Sequence, residues 1–466
     1  MTLGGGILNI HSDSAYIVLE NGLILTDASR SDPEPHHRTV ISGDRIVAVN
    51  SSAPTPPVAV ETIDCSNCII IPGLVNCHVH SPMSLFRGLA DDLPLQTWLE
   101  RFIFPSEALH VTPDMVRLGA TLSAVEMALS GITTFADAYF FMEQAALAAI
   151  DVGLRAVIAQ GVIDVPTPDV KRPEYWRERV SEFFENVSSH STITPSIFCH
   201  SPYLCGPETF KEAWELSKSA GTKLFSHVSE TITEIEQVTV RYGVSPVQLL
   251  DSINVLDRNF VAIHCVHLTP RDLQIIDERN VSVIHCPESN MKLASGSAPI
   301  ENFLQLEIGL GIGTDSPASN NNLDLFEEMR SAALMAKLIS NNPEALSARN
   351  ALSMATIGGA RCLGLDKDIG TLEVGKQADI VVVDLDKPHL FPLYDPISQL
   401  VYCANAADVR DVIVAGRLIV RNRRLSFTGY DDVRERCLEL AGKIAESARK
   451  SLFLTKKGNH VWKNHI

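Results

Sequence analysis

Eight short apolar runs, each closed by polar residues and separated from the next by a helix-like stretch, constrain this chain more than any other feature. They stand at LVNCHVH (74–80), ITTFADAY (132–139), RAVIAQGVID (155–164), TPSIFCHSPY (194–203), TKLFSHVSE (222–230), FVAIHCVHL (260–268), VSVIHCPESN (281–290) and LGIGTDS (310–316). Between them lie amphipathic segments such as MVRLGATLSAVEMALSG and YWRERVSEFFENV. Strands alternating with helices predict parallel strands joined by crossover helices. Eight such units predict an α/β chain closed into a (β/α)8 TIM barrel; a doubly wound open sheet gives no reason for eight.

A barrel needs roughly 250 residues, and the chain has 466. The surplus lies in two β-rich flanks. AYIVLENGLILT and RTVISGDRIVAV, with Gly43 and Asp44 at a hairpin turn, precede the barrel; ADIVVVDLD and VRDVIVAGRLIV follow it. Neither flank alone has enough strands to bury a sheet, so the two pair into one small β-sandwich domain formed from both chain ends. The expected division is residues 1–72 and 369–429 for that domain, 73–368 for the barrel, and 430–466 for a C-terminal helix and tail. Val433, Cys437, Leu440 and Ile444 carry the helical spacing there.

A formal charge of -17 leaves no basic footprint for nucleic acid, which is excluded as a partner. No apolar stretch approaches the roughly 18 residues of a bilayer span, and the start lacks a leader pattern, so the expectation is a cytoplasmic chain with no membrane contact. The ten cysteines do not form a disulfide scaffold. Cys65 and Cys68 make a C-x-x-C without the second ligand pair of a zinc finger, and DCSNCIIIPG reads as a turn entering a strand.

Polar residues gather at the C-terminal ends of the expected strands, the end where barrel active sites are built. His78 and His80 close the first strand, His227 the fifth, His264 the sixth, and Asp315 follows the eighth. Imidazole and carboxylate donors suit zinc and other borderline divalent ions. His78, His80, His227 and Asp315 form the expected ligand set; with no lysine at the fourth strand end to bridge a second ion, one metal is expected. Glu230, three residues beyond His227, is placed to move protons to and from a metal-activated water. His110, His267 and His285 are given no role, and Asn290, Lys292 and Gly296 mark a loop over the site.

PGLVNCHVHSPMSLFRGLADDLPLQTWL, CHSPYLCG, FSHVSETITE, AIHCVHL, HCPESNMKLASG, GTDSPASNNNLDLFEEMR and GTLEVGKQADIVVVD resemble the amidohydrolase superfamily. Within it they resemble the 5'-methylthioadenosine/S-adenosylhomocysteine deaminase family, over nearly the whole chain. The resemblance implies hydrolytic deamination of an adenine nucleoside to its inosine analogue and ammonia. His78, His80, His227 and Asp315 match the metal ligands, Glu230 the proton shuttle, and His264 the residue that positions the water. Glu107 matches the carboxylate that accepts the ribose hydroxyls, and Trp98 and His200 match pocket positions. Relatives that accept S-adenosylhomocysteine hold its carboxylate with an arginine at the third strand end. The matching position is read as Gln160, so that contact is missing unless Arg172, in the following loop, supplies it.

The ligand set fits zinc first, with iron(II) and manganese(II) also compatible, and a homodimer or homotetramer is expected. The alternatives are a guanine or pterin deaminase or a triazine chlorohydrolase of the same superfamily, and, least favoured, a barrel scaffold without catalysis.

Overall fold

The computed structural model describes residues 16–455 apart from 31, 33, 50–58, 94 and 188–189. Eight strands, β1 (Leu74–Val79), β2 (Ile132–Tyr139), β3 (Arg155–Val162), β4 (Ile193–Cys199), β5 (Leu224–Val228), β6 (Phe260–His264), β7 (Ser282–His285) and β8 (Leu310–Ile312), pair in chain order. Every neighbouring pair is parallel. The ring is drawn shut past β8, where the Asp315 amide donates to the His78 carbonyl at 3.0 Å. Gly313 is required at this closure: a Cβ there would stand 2.7 Å from the His78 main-chain nitrogen.

Val75, Ala136, Ala138, Val157, Ala159, Phe225, Val261 and Ile284 fill the barrel interior, while a larger apolar layer joins the strands to the surrounding helices. This division follows the two-residue alternation of a strand. β1 breaks the rule usefully. Val75 and Cys77 face inward, so strict alternation would turn His78 and His80 outward; a register shift between Asn76 and Val79 resets the strand and brings both imidazoles inside.

The flanks meet where Cys68–Pro72 pairs antiparallel with Ile380–Asp384, in register from Cys68↔Asp384 to Pro72↔Ile380. The result is a nine-stranded mixed sheet with its own buried core, including Leu19, Ile41, Ile63, Ile70, Ile380 and Ile413. Arg155, at the start of β3, ties it to the barrel through a buried two-pronged pair with Asp379 (2.8 and 3.2 Å). Cys65 precedes the turn and Cys68 opens the Cys68–Pro72 strand, and Arg410 donates to both sulfurs.

Between β1 and the long helix Pro113–Leu129, helical turns Leu95–Trp98, Leu99–Ile103 and Phe104–His110 lie at the barrel mouth. The C-terminal helix, Tyr430–Thr455, buries Val433, Cys437 and Ile444, and the tail beyond it lies outside the described residues. Among the described residues no helix is long and apolar enough to cross a membrane.

Candidate active site

The C-terminal strand ends surround a cavity of about 560 Å³, within the range of small-molecule sites. At its floor, ligand atoms of His78, His80, His227 and Asp315 lie within 4.8 Å of one another; no other group of three or more His, Cys, Asp or Glu among the described residues is so arranged. Asp315 Oδ1 stands 3.4 Å from His78 Nε2 and 3.5 Å from His80 Nε2. His227 Nε2 lies 3.1 Å from His78 Nε2.

Hydrogen bonds behind these atoms fix what each offers. His80 donates its Nδ1 proton to the Ala138 carbonyl, which leaves Nε2 as a lone pair facing the cluster. Ser289 Oγ (2.6 Å) and Ser319 Oγ (3.1 Å) both donate to Asp315 Oδ2 and leave Oδ1 turned toward the imidazoles. Burial lowers His78 to about 4 and drives His227, further opposed by its neighbouring imidazoles, well below the usual histidine range. Burial alone would raise Asp315, but the contact with His78 and the nearby imidazoles hold it well below the usual carboxylate range. Neutral nitrogens opposed at 3.1 Å beside an ionised carboxylate repel unless a proton or a cation lies between them. The donor set therefore fits a divalent ion.

Glu230 and His264 face this set across the cavity, with Glu230 Oε2 3.8 Å from His264 Nε2. Asn290 Nδ2 donates to His264 Nδ1 at 3.1 Å, which assigns the ring proton to Nε2. Burial, and secondarily the charge of Asp315, pushes Glu230 up to about 8. The main chain here takes left-handed conformations at Ser229 (φ 55°), His264 (φ 73°) and Asp315 (φ 59°), a strain that clusters at functional sites.

Farther out, Glu107 and Trp98 line the wall from the helical turns over the mouth. Tyr139 Oη donates to Glu107 Oε1 at 2.6 Å, and burial, opposed by that bond, raises Glu107 to about 7. Trp98 is buried with Nε1 donating to the Leu89 carbonyl. His200 lies on the wall beside His227, ring centroids 5.0 Å apart, and burial lowers it to about 3.

Arg172 is not brought to the cavity. It is exposed, paired with Glu174 at 3.0 Å and set over the Tyr175 ring, while its neighbour Lys171 lines the wall. Gln160 does not face the cavity either. Val157 and Ala159 point inward on β3, so Gln160 points outward, where its amide donates to Asp169 Oδ2 (2.9 Å) and the Gly161 carbonyl. Asn290 and Lys292 belong to a short helix, Pro287–Lys292, rather than a loop, and Leu293 after it reaches the wall. His285 is fully buried off the wall, and His267 Nε2 donates to the Ser295 carbonyl at 2.7 Å.

Sequence reasoning passed over Tyr139, Phe198, Ser289 and Ser319. Phe198 stacks on His78 and meets His227 edge-on. Tyr139 closes the β2 run, and that strand-end position was the available signal; nothing in the sequence marks the two serines.

The amidohydrolase family matches residues 69–419. A 5-methylthioadenosine/S-adenosylhomocysteine deaminase of Syntrophobacter fumaroxidans (strain DSM 10017 / MPOB) is 43% identical over 438 residues, 93% of this chain and 99% of that protein. A crystal structure of an adenosine deaminase from Xanthomonas campestris with bound zinc superposes with a TM-score of 0.90 at 35% identity, covering 93% of this chain and 99% of the other. An atrazine chlorohydrolase from Arthrobacter aurescens TC1, at 24% identity and a TM-score of 0.86 over 91% of this chain and 100% of its own, shares the fold. Because the matched span runs from the Cys68–Pro72 strand through all eight barrel strands into Arg417–Arg421, and the bacterial deaminase aligns nearly end to end, this chain belongs to the amidohydrolase family, in its 5-methylthioadenosine/S-adenosylhomocysteine deaminase branch.

Proposed function

We propose that this chain removes the amino group of an adenine nucleoside by hydrolysis, acting on 5'-methylthioadenosine, S-adenosylhomocysteine or adenosine. The observation that carries the reading is one cavity lined at its floor by His80, His227, Asp315 and Glu230, with His78 clustered against the first three, and by Glu107 on its wall. Such a span accommodates a base below and a ribose above.

His78, His80, His227 and Asp315 would hold a divalent ion, zinc first, which would supply the Lewis acidity that makes a water nucleophilic at neutral pH. Glu230 takes a proton from the attacking water and delivers it to the ring nitrogen beside the amino-bearing carbon. A pKa of about 8 suits a group that must both accept and return a proton near neutrality. His264 Nε2–H donates to the incoming oxygen and holds it on line. When the C–N bond breaks, the remaining water proton goes to the leaving nitrogen, so water and nucleoside give the inosine analogue and ammonia.

Glu107 accepts the ribose hydroxyls, with Tyr139 steadying one oxygen. Leu95, Leu99, Ile103 and Val165 make an apolar wall suited to a thioether, and Lys171 is the one Lys or Arg on that wall among the described residues. A single ammonium does not reproduce the two-pronged grip of a guanidinium on a carboxylate. Methylthioadenosine or adenosine is therefore processed at least as well as S-adenosylhomocysteine.

Glu107→Gln tests the ribose assignment. A hydrogen bond to a charged group contributes roughly 1.5–3 kcal/mol, so KM for adenosine rises about tenfold or more while kcat changes little. The wild-type carboxyl, raised to about 7, ionises as pH rises and binds better above that value. KM accordingly climbs as pH falls through about 7, and that limb is absent in the variant. An unchanged KM, or an equal loss with 2'-deoxyadenosine and adenosine, removes Glu107 from ribose recognition.

A further inference from the structure

Glu234 is buried to 2% exposure four residues beyond Glu230, and it does not touch the cavity. It occupies the third position of helix Ile232–Tyr242, whose N-cap Thr231 accepts from the Glu234 amide. Its carboxylate reaches back past that cap. Oε1 accepts from the Ser229 amide at 2.9 Å and Oε2 from the Glu230 amide at 2.8 Å. These two consecutive N–H groups lie in the turn where the chain leaves β5. Ser229 is fully buried there with φ 55°, a conformation that non-glycine residues adopt at a cost of about 1–3 kcal/mol unless the surroundings enforce it. The surroundings do so from both sides: Glu234 holds the amides, and the Val266 (3.1 Å) and His267 (2.9 Å) amides after β6 hold the Ser229 carbonyl.

We propose that Glu234 is a positioning residue for the reaction: its carboxylate clamps the left-handed Ser229 turn and so aims the Glu230 side chain at the reacting atoms. This inference rests on the reading of Glu230 as proton carrier. A buried carboxylate is costly, and a residue that served only to start the helix would do so at the N-cap amide, as a Glu or Gln in that position ordinarily does. Glu234 also feels the Thr231 amide, but it reaches two amides farther upstream, which spends that burial on the Glu230 main chain as well. The clamp also explains how Glu230 stands beside His264 although the strand ends two residues earlier.

The test is Glu234→Gln, which keeps the volume but sets an NH2 against one of the two amides. Misplacing a catalytic group by about 1 Å costs on the order of a hundredfold, so kcat for methylthioadenosine falls about ten- to a hundredfold. KM and bound metal stay near wild type. The discriminating measurement is the double variant: if Glu234 acts through Glu230, E230Q/E234Q is no slower than E230Q alone, within about twofold. Ser229→Gly removes the left-handed strain, so S229G/E234Q recovers part of kcat. Should E234Q fail to fold, the same readouts are taken on S229G/E234Q.

An unchanged kcat in E234Q, an equal loss in the E230Q background, or metal loss in proportion to activity overturns the proposal. If E230Q keeps full turnover, the reading of Glu230 falls and the clamp with it. If E230Q is crippled while E234Q is not, only the clamp falls.

Discussion

Replacing His227 with alanine is expected to strip the bound ion from the chain and turnover with it. His227 is the penultimate residue of β5, is 7% exposed, and its Nε2 lies 3.1 Å from that of His78. Alanine removes one of three nitrogen donors and opens space where the ring stood between Phe198 and His264. Loss of a group that merely orients a ligand costs about 10–100-fold in metal affinity, so loss of a ligand costs at least that. Elemental analysis of the purified variant should find most of the wild-type content of about one ion per chain missing, and ammonia release should fall in parallel. Full occupancy with full activity contradicts the ligand assignment.

Glu230→Gln should behave in the opposite way with respect to metal. The amide keeps the size and hydrogen-bonding reach of the carboxylate but cannot carry a proton. Glu230 is outside the four-residue donor group, so metal content stays near wild type. Turnover falls about a hundredfold or more, the usual scale for a general acid–base group. Single-turnover kinetics on the metal-loaded variant measures this directly. Turnover equal to wild type makes Glu230 a bystander.

The barrel was legible because each buried strand is a short apolar run that ends in polar residues, and the alternation with helical patterns leaves few topologies. Pairing of the flanks was legible for a similar reason: neither could bury a sheet alone. At the floor of the site, His78, His80, His227 and Asp315 were found by donor chemistry at strand ends, and the geometry assembles them. The route by which His78 and His80 come inside was not legible. It depends on the register shift between Asn76 and Val79, which no residue in LVNCHVH announces. The left-handed turns at Ser229, His264 and Asp315 were equally silent, since none is a glycine.

Gln160 and Arg172 fail for two different reasons. Gln160 was within reach of sequence reasoning, because alternation along β3 puts 157, 159 and 161 on one side and 160 on the other. Arg172 was not: in the loop after β3 no periodicity tells which of two adjacent cations faces inward, and the loop turns Lys171 to the wall and leaves Arg172 with Glu174. Glu234 was visible in FSHVSETITE as a helix-start carboxylate, but its reach to Ser229 and Glu230 requires the fold.

The most direct test of the account is ammonia release by the purified, metal-loaded protein against adenosine, methylthioadenosine, S-adenosylhomocysteine, guanine and cytosine. Release from the three adenine nucleosides, with kcat/KM for methylthioadenosine or adenosine at least equal to that for S-adenosylhomocysteine, and none from guanine or cytosine, is the predicted result. Release from guanine or cytosine with none from the adenine nucleosides would contradict it.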